Sequence, residues 1–160
     1  MNLLPEPRPV MTEVAFHFNV PDRQAYALRL LRKAYRQQAR LLVRLPVRAL
    51  AALDAALWTQ DKESFIAHAR EDDPPHVRRH SPIVLCSEVP DTVAESDEAA
   101  TQVLVNLCET MPPHWTRFAR VIEVVTLDEA DRVQARQRWR EYTRQGIEPV
   151  RYDLKLEPAA

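Results

Sequence analysis

Arg132, Arg136, Arg140 and Arg144 recur at every fourth position near the C-terminal end of the chain. In a helix four residues advance about 400°, so these guanidinium groups form one stripe that drifts by only about 40° per step. Trp139 lies about 60° from Arg136 round the helix and borders the stripe. Arginine forks bind carboxylates through paired hydrogen bonds, and an indole beside them offers an apolar floor. That combination suits an acidic peptide that ends in a free carboxylate and carries an apolar side chain. A solvated basic face, with Trp139 at the rim of the core, would use the same residues, and so would a nucleic-acid surface. Asp131 to Gly146 holds five arginines against Asp131 and Glu141, a net +3, while the whole chain stands at −1. A nucleic-acid surface is expected to bring further basic strips and a more positive total.

A second candidate is "LDAALWTQDKESFIAHA", Leu53 to Ala69. Trp58 closes a short helical pattern and Phe65 follows a polar turn. Large aromatics at the end of an element, bounded by charges, are either core caps or anchors for another protein.

Catalytic and metal chemistry find little support. His76 and His80 share a segment with Glu71, Asp72 and Asp73, but HxxxH outside a helix and without a neighbouring cysteine is a weak zinc signal. Asp72 and Asp73 are adjacent in a loop, which is poor geometry for acid–base work. Cys86 and Cys108 lie in apolar runs ("IVLCSE", "VLVNLC"), where buried free thiols are expected and the thiolate is disfavoured. Gly146 is the only glycine. Neither GxGxxG nor GxxxxGK[ST] can therefore be written, which excludes both common phosphate-cradling loops. No catalytic residue, metal or cofactor is assigned.

The elements that must position these residues follow from patterning. With 160 residues, 46% hydrophobic and 28% charged, one globular domain with a sizeable core is expected. Residues 1–10 hold three prolines and form a loose extension, with Met11 a second candidate start. The domain spans 11–155 and a tail 156–160. No apolar run nears the roughly 18 residues of a spanning helix, and "MNLLPEPRPV" lacks a signal peptide's core, so a soluble cytoplasmic protein is expected.

Val14, Phe16, Phe18 and Val20 alternate in a strand over 12–20. An amphipathic helix with a basic outer face covers 23–40, followed by a strand at 40–46 and a helix at 47–58. Residues 71–82 are a proline-broken loop. Strand-sized runs at 82–88 and 101–108 flank an acidic segment, 89–100, expected to be an exposed and mobile loop. A helical turn at 112–119 leads to a β-branched strand at 120–125. Thr126-Leu127-Asp128-Glu129 forms a capping box that opens the last helix, and Gly146 ends it in a left-handed C-cap. The alternation implies an α/β domain with a mostly parallel sheet flanked by helices. The pair around the acidic segment lacks room for a crossover helix, which suggests an antiparallel pair and a mixed sheet.

"LDAALWTQDKESFIAHA", the strand pair, the β-branched strand and "ARQRWREYTRQG" together resemble the chi subunit of bacterial DNA polymerase III holoenzyme, from Thr12 to Leu154. The resemblance implies a nucleotide-binding-like topology without a phosphate loop. It also implies a non-catalytic accessory subunit of the clamp-loader complex. Such a subunit pairs with the psi subunit and binds the acidic, Phe-ended C-terminal tail of single-stranded DNA-binding protein (SSB). Matched to the family, the tail site comprises Val125, Arg136, Trp139, Arg140 and Gly146. Arg144 stands in for a basic residue at the position of Thr143. Trp58 and Phe65 match the surface for psi and for an alternative helicase partner. No sequence-specific contact with nucleic acid and no membrane partner is implied. A peptide-binding adaptor outside the replisome is the alternative.

Overall fold

Short β-branched and leucine-rich runs are what a parallel sheet needs, because its strands are covered on both faces and cannot alternate with polar residues. The computed structural model describes residues 12–59, 66–90 and 103–156. Its strands are β1 (Glu13–Val20), β2 (Leu41–Arg44), β3 (Ala69–Arg70), β4 (Ile83–Cys86), β5 (Val103–Asn106), β6 (Arg120–Thr126) and β7 (Val150–Asp153). Its α-helices are α1 (Arg23–Arg36), α2 (Val47–Thr59), α3 (Pro75–His80) and α4 (Glu129–Arg144). The described strands form one sheet in the order β3-β4-β2-β5-β6-β1-β7, and every neighbouring pair is parallel.

The expected antiparallel pair does not form. β4 and β5 flank β2 instead, so Leu42 lies opposite Val84 on one side and Leu104 on the other. The connection over 87–102 exceeds the roughly dozen residues that a parallel crossover needs, with or without a full helix.

Alternate residues of each strand feed two cores. Leu41, Val43, Ile122 and Val124 pack with α1 and α2 on one face. Leu42, Leu104, Val121 and Val125 pack with Ala135 and Tyr142 of α4 on the other. In β1, Val14 and Phe16 join the α4 side, but Val20 joins the α1 side. Asn19 takes a left-handed conformation (φ 63°) and the register with β6 shifts between His17 and Val20, which turns the strand end over. Simple alternation had placed all four apolar residues together.

Other boundaries also move. α1 stops at Arg36, with Gln38 left-handed (φ 58°), rather than running to Arg40. The proline-broken stretch contains α3, opened by proline, and β3 precedes it. Asp128, not Thr126, caps α4, accepting a bond from the Ala130 N–H at 3.1 Å. Thr126 ends β6 and donates through N–H and Oγ1 to buried Asp131 at 2.7 and 2.9 Å. That contact holds Thr126 in the strand, so the capping box does not form. At the other end the Gly146 N–H reaches the Thr143 oxygen (3.1 Å) and the Ile147 N–H the Tyr142 oxygen (3.0 Å). With Gly146 at φ 92° this is a Schellman closure, as its lone glycine suggested. Most of the acidic segment falls outside the described residues.

Candidate functional site

α4 presents two sets of arginine. Its inner face buries Ala135, Arg138 and Tyr142. Arg138 Nε donates to Glu123 Oε1 at 3.1 Å and Nη1 donates to the Glu109 oxygen. Glu123 also accepts from the Tyr142 hydroxyl and from Asn106 Nδ2, each at 2.8 Å. Burial pushes the Glu123 carboxyl above its ordinary range, opposed by Arg138. Burial and Glu123 push the Tyr142 phenol up as well. Arg138 is therefore an internal strut and takes no part in the outer stripe.

Arg132, Arg136, Arg140 and Arg144 are exposed. Arg136 lies 3.6 Å from Glu129 and Arg144 lies 2.9 Å from Glu141. Exposed pairs of this kind are worth little and yield easily to a competing anion. Among the described residues Arg132 and Arg140 make no ion pair.

Trp139 is half-buried at the edge of this face, its ring 5.0 Å from that of Phe16. Arg151 of β7 stands 5.2 Å above the Phe18 ring and 5.9 Å from the Trp139 ring. The result is an aromatic shelf between α4 and the sheet edge, with guanidinium groups from two elements around it. Arg151 and Phe18 were missed from sequence because no local pattern reports that β7 lies beside β1. Alternation puts Phe18 on the apolar side of its strand and gives it no binding role. Val125 is 3% exposed and sits in the core beneath α4, so the accessible apolar surface is that of Trp139 and Phe18. Gly146 is exposed where α4 ends.

Trp58 is 55% exposed near the end of α2, its ring 5.0 Å from His68. His68 contacts the Ile66 oxygen through Nδ1 (2.9 Å) and Asp54 through Nε2 (2.7 Å). This fixes the His68 ring beside the indole. Phe65 lies outside the described residues.

At the carboxyl edge of β2 and β4, where doubly wound sheets hold ligands, a cavity of about 680 Å³ is lined by Arg44, Glu71, Arg78, Cys86 and His114. Two of its charged groups are held by residues behind the lining. Arg44 donates to Asn106 Oδ1 and to the Thr110 oxygen and Oγ1, while Glu71 accepts from the Ser87 N–H and Oγ. Burial pushes the Cys86 thiol up to about 12. Cys86 and Cys108 are free and buried, as their apolar runs predicted. His80 Nδ1 bonds the His76 oxygen at 2.7 Å. Among the described residues no group of three or more His, Cys, Asp or Glu is placed to hold a metal ion, and no helix is long and apolar enough to cross a membrane.

The family model for the DNA polymerase III chi subunit, HolC, matches residues 11–150. The chain belongs to the chi family. It is thereby an accessory-subunit relative of DNA polymerase III, with its place in DNA replication. A comparison with curated proteins finds no match. Among solved structures, the chi-family chain is similar to the C-terminal domain of S. cerevisiae Dbp5 bound to Gle1 and IP6. That match has 12% identity and a TM-score of 0.59, and covers 89% of this chain and 90% of that one. Identity that low carries the fold alone.

Proposed function

We propose that this chi-family protein is a non-catalytic adaptor that binds the acidic, Phe-ended tail of SSB on the shelf between α4 and β7. The observation that carries this reading is the Trp139 indole, resting on Phe16 beneath the Arg151 guanidinium. Arg140, which makes no ion pair among the described residues, projects from the same helix. The tail's carboxylates meet Arg136, Arg140, Arg144 and Arg151, and its terminal ring lies against Trp139 and Phe18. A peptide so short buries little area, so affinity is expected to be about micromolar. Several tails on one SSB assembly raise it through local concentration.

The exposed Trp58 indole supports a second contact, with psi, on the α2 side of the sheet; an alternative helicase partner would compete there. Trp58→Ala should then lose psi in co-purification while keeping the tail.

The decisive experiment is titration of a fluorescent peptide ending in Asp-Ile-Pro-Phe, with and without its last residue. Arg136→Ala or Arg140→Ala should cost about 1–3 kcal/mol of binding, and removal of the Phe should cost more. Equal binding by wild type and the double variant would remove the site. Tight binding of unrelated acidic peptides would favour an adaptor outside the replisome.

A further inference from the structure

On the sheet face opposite the α4 shelf, a groove of about 1110 Å³ runs between α1 and the β1–β7 edge. Its floor is Ala15 and His17 of β1, Ile122 of β6, and Val150 and Tyr152 of β7. Strand alternation separates it from the shelf. Arg151 sits opposite Phe16, whereas Val150 and Tyr152 sit opposite Ala15 and His17. Val150 is 60% and Tyr152 42% exposed, an apolar strip at a sheet edge. Tyr152 stacks 4.9 Å from the His17 ring.

The wall is cationic. α1 reads RQAYALRLLRKAYR and contains no acidic residue. Arg29, Lys33 and Arg36 line the groove, spaced by roughly one helical turn, so that positive charge recurs about every 5–6 Å along its length. Arg32 and Arg120 line it too, against Glu13 and Glu148. None of these five cations forms an ion pair among the described residues. On α4, by contrast, Arg136, Arg138 and Arg144 all do. The buried Nε of Arg32 has no acceptor among the described residues. Five cations that make no ion pair among the described residues thus line one groove, against the two, Arg132 and Arg140, on α4.

We propose that this groove binds single-stranded nucleic acid without reading its sequence. A row of cations at even spacing matches a backbone with one charge per repeat, and an aromatic floor accepts any base by its flat face. A short acidic peptide matches the charge but not its even recurrence. The site shares no residue with the tail shelf, so either can fail without the other.

The test is fluorescence anisotropy of a labelled oligothymidine against the full chain across a salt series. Low-salt binding is expected, with log K falling against log salt at a slope of about −2 to −3, as three or four single-strand phosphate contacts give. Arg29→Glu with Lys33→Glu and Arg36→Glu should weaken it at least about tenfold and flatten the slope. Tyr152→Ala should weaken it about fivefold or more, as loss of a stacking platform does. Arg79→Glu, on α3 at the opposite edge of the sheet, should bind as wild type does. Circular dichroism melts separate loss of binding from loss of fold. Absence of low-salt binding overturns the proposal. So does binding that a folded triple variant retains, or displacement of the oligonucleotide by an acidic peptide at equal concentration.

Discussion

Arg138 Nε lies 3.1 Å from Glu123 Oε1, and the two side chains are 3% and 0% exposed. The pair joins the middle of α4 to the middle of β6 inside the core. It fixes which way the helix rotates, and hence which arginines reach solvent.

Arg138→Met should therefore be severely destabilising. Removing one partner leaves a buried carboxylate uncompensated, which costs about 3–5 kcal/mol. Urea unfolding at neutral pH measures it. Adding Glu123→Gln should restore part of the loss. A pair of additive single effects would show that the two groups are not coupled.

The same carboxyl sets a pH dependence. Burial raises Glu123 above its ordinary 4.5, so the folded state holds this proton more tightly than the unfolded chain. Its contribution is complete below the unfolded value and is lost as pH rises through the folded one. Subtracting the stability of Glu123→Gln from that of wild type should give a difference that falls with rising pH from about 4.5. A difference that climbs would mean that Arg138 outweighs burial.

Gly146→Ala tests the helix closure. No neighbour lies within 4 Å of an added Cβ, but φ is +92°, so strain rather than collision decides the outcome. A cost of about 1–2 kcal/mol is expected, read as a lower unfolding midpoint. Tail binding by the folded variant should survive.

Arg151→Ala removes the cation above Phe18 and Trp139. On the proposed function, tail-peptide affinity should fall about fivefold, roughly 1 kcal/mol, with the urea midpoint unchanged because the residue is exposed. Unaltered affinity would shift the shelf away from β7.

Much of the fold was legible because its signals are local. The β-branched run at 120–125, the apolar cysteine strands and the lone glycine each specify their own conformation. The helix stripe was legible for the same reason, as 3.6-residue periodicity needs no tertiary knowledge. What escaped was decided across the sheet. Arg138 looks like any other arginine of its helix until Glu123 is placed beneath it. "VRYD" carries no strand pattern, since an edge strand has only one neighbour and little to bury. The order of β4, β2 and β5 depends on a crossover that composition does not encode. Val125 reads as a site residue by resemblance, yet the packing of α4 encloses it.

β7 serves two surfaces with consecutive residues. Slipping its pairing by a single position would carry Arg151 to the tyrosine's side and deliver Val150 and Tyr152 to the tryptophan's, because neighbouring side chains point oppositely. Inserting or deleting one residue between the helix-ending glycine and Val150 is thus a lesion that exchanges both faces at once in an otherwise intact sheet. The length of that three-residue link (Ile147 to Pro149) is as much a determinant of recognition as any side chain it precedes.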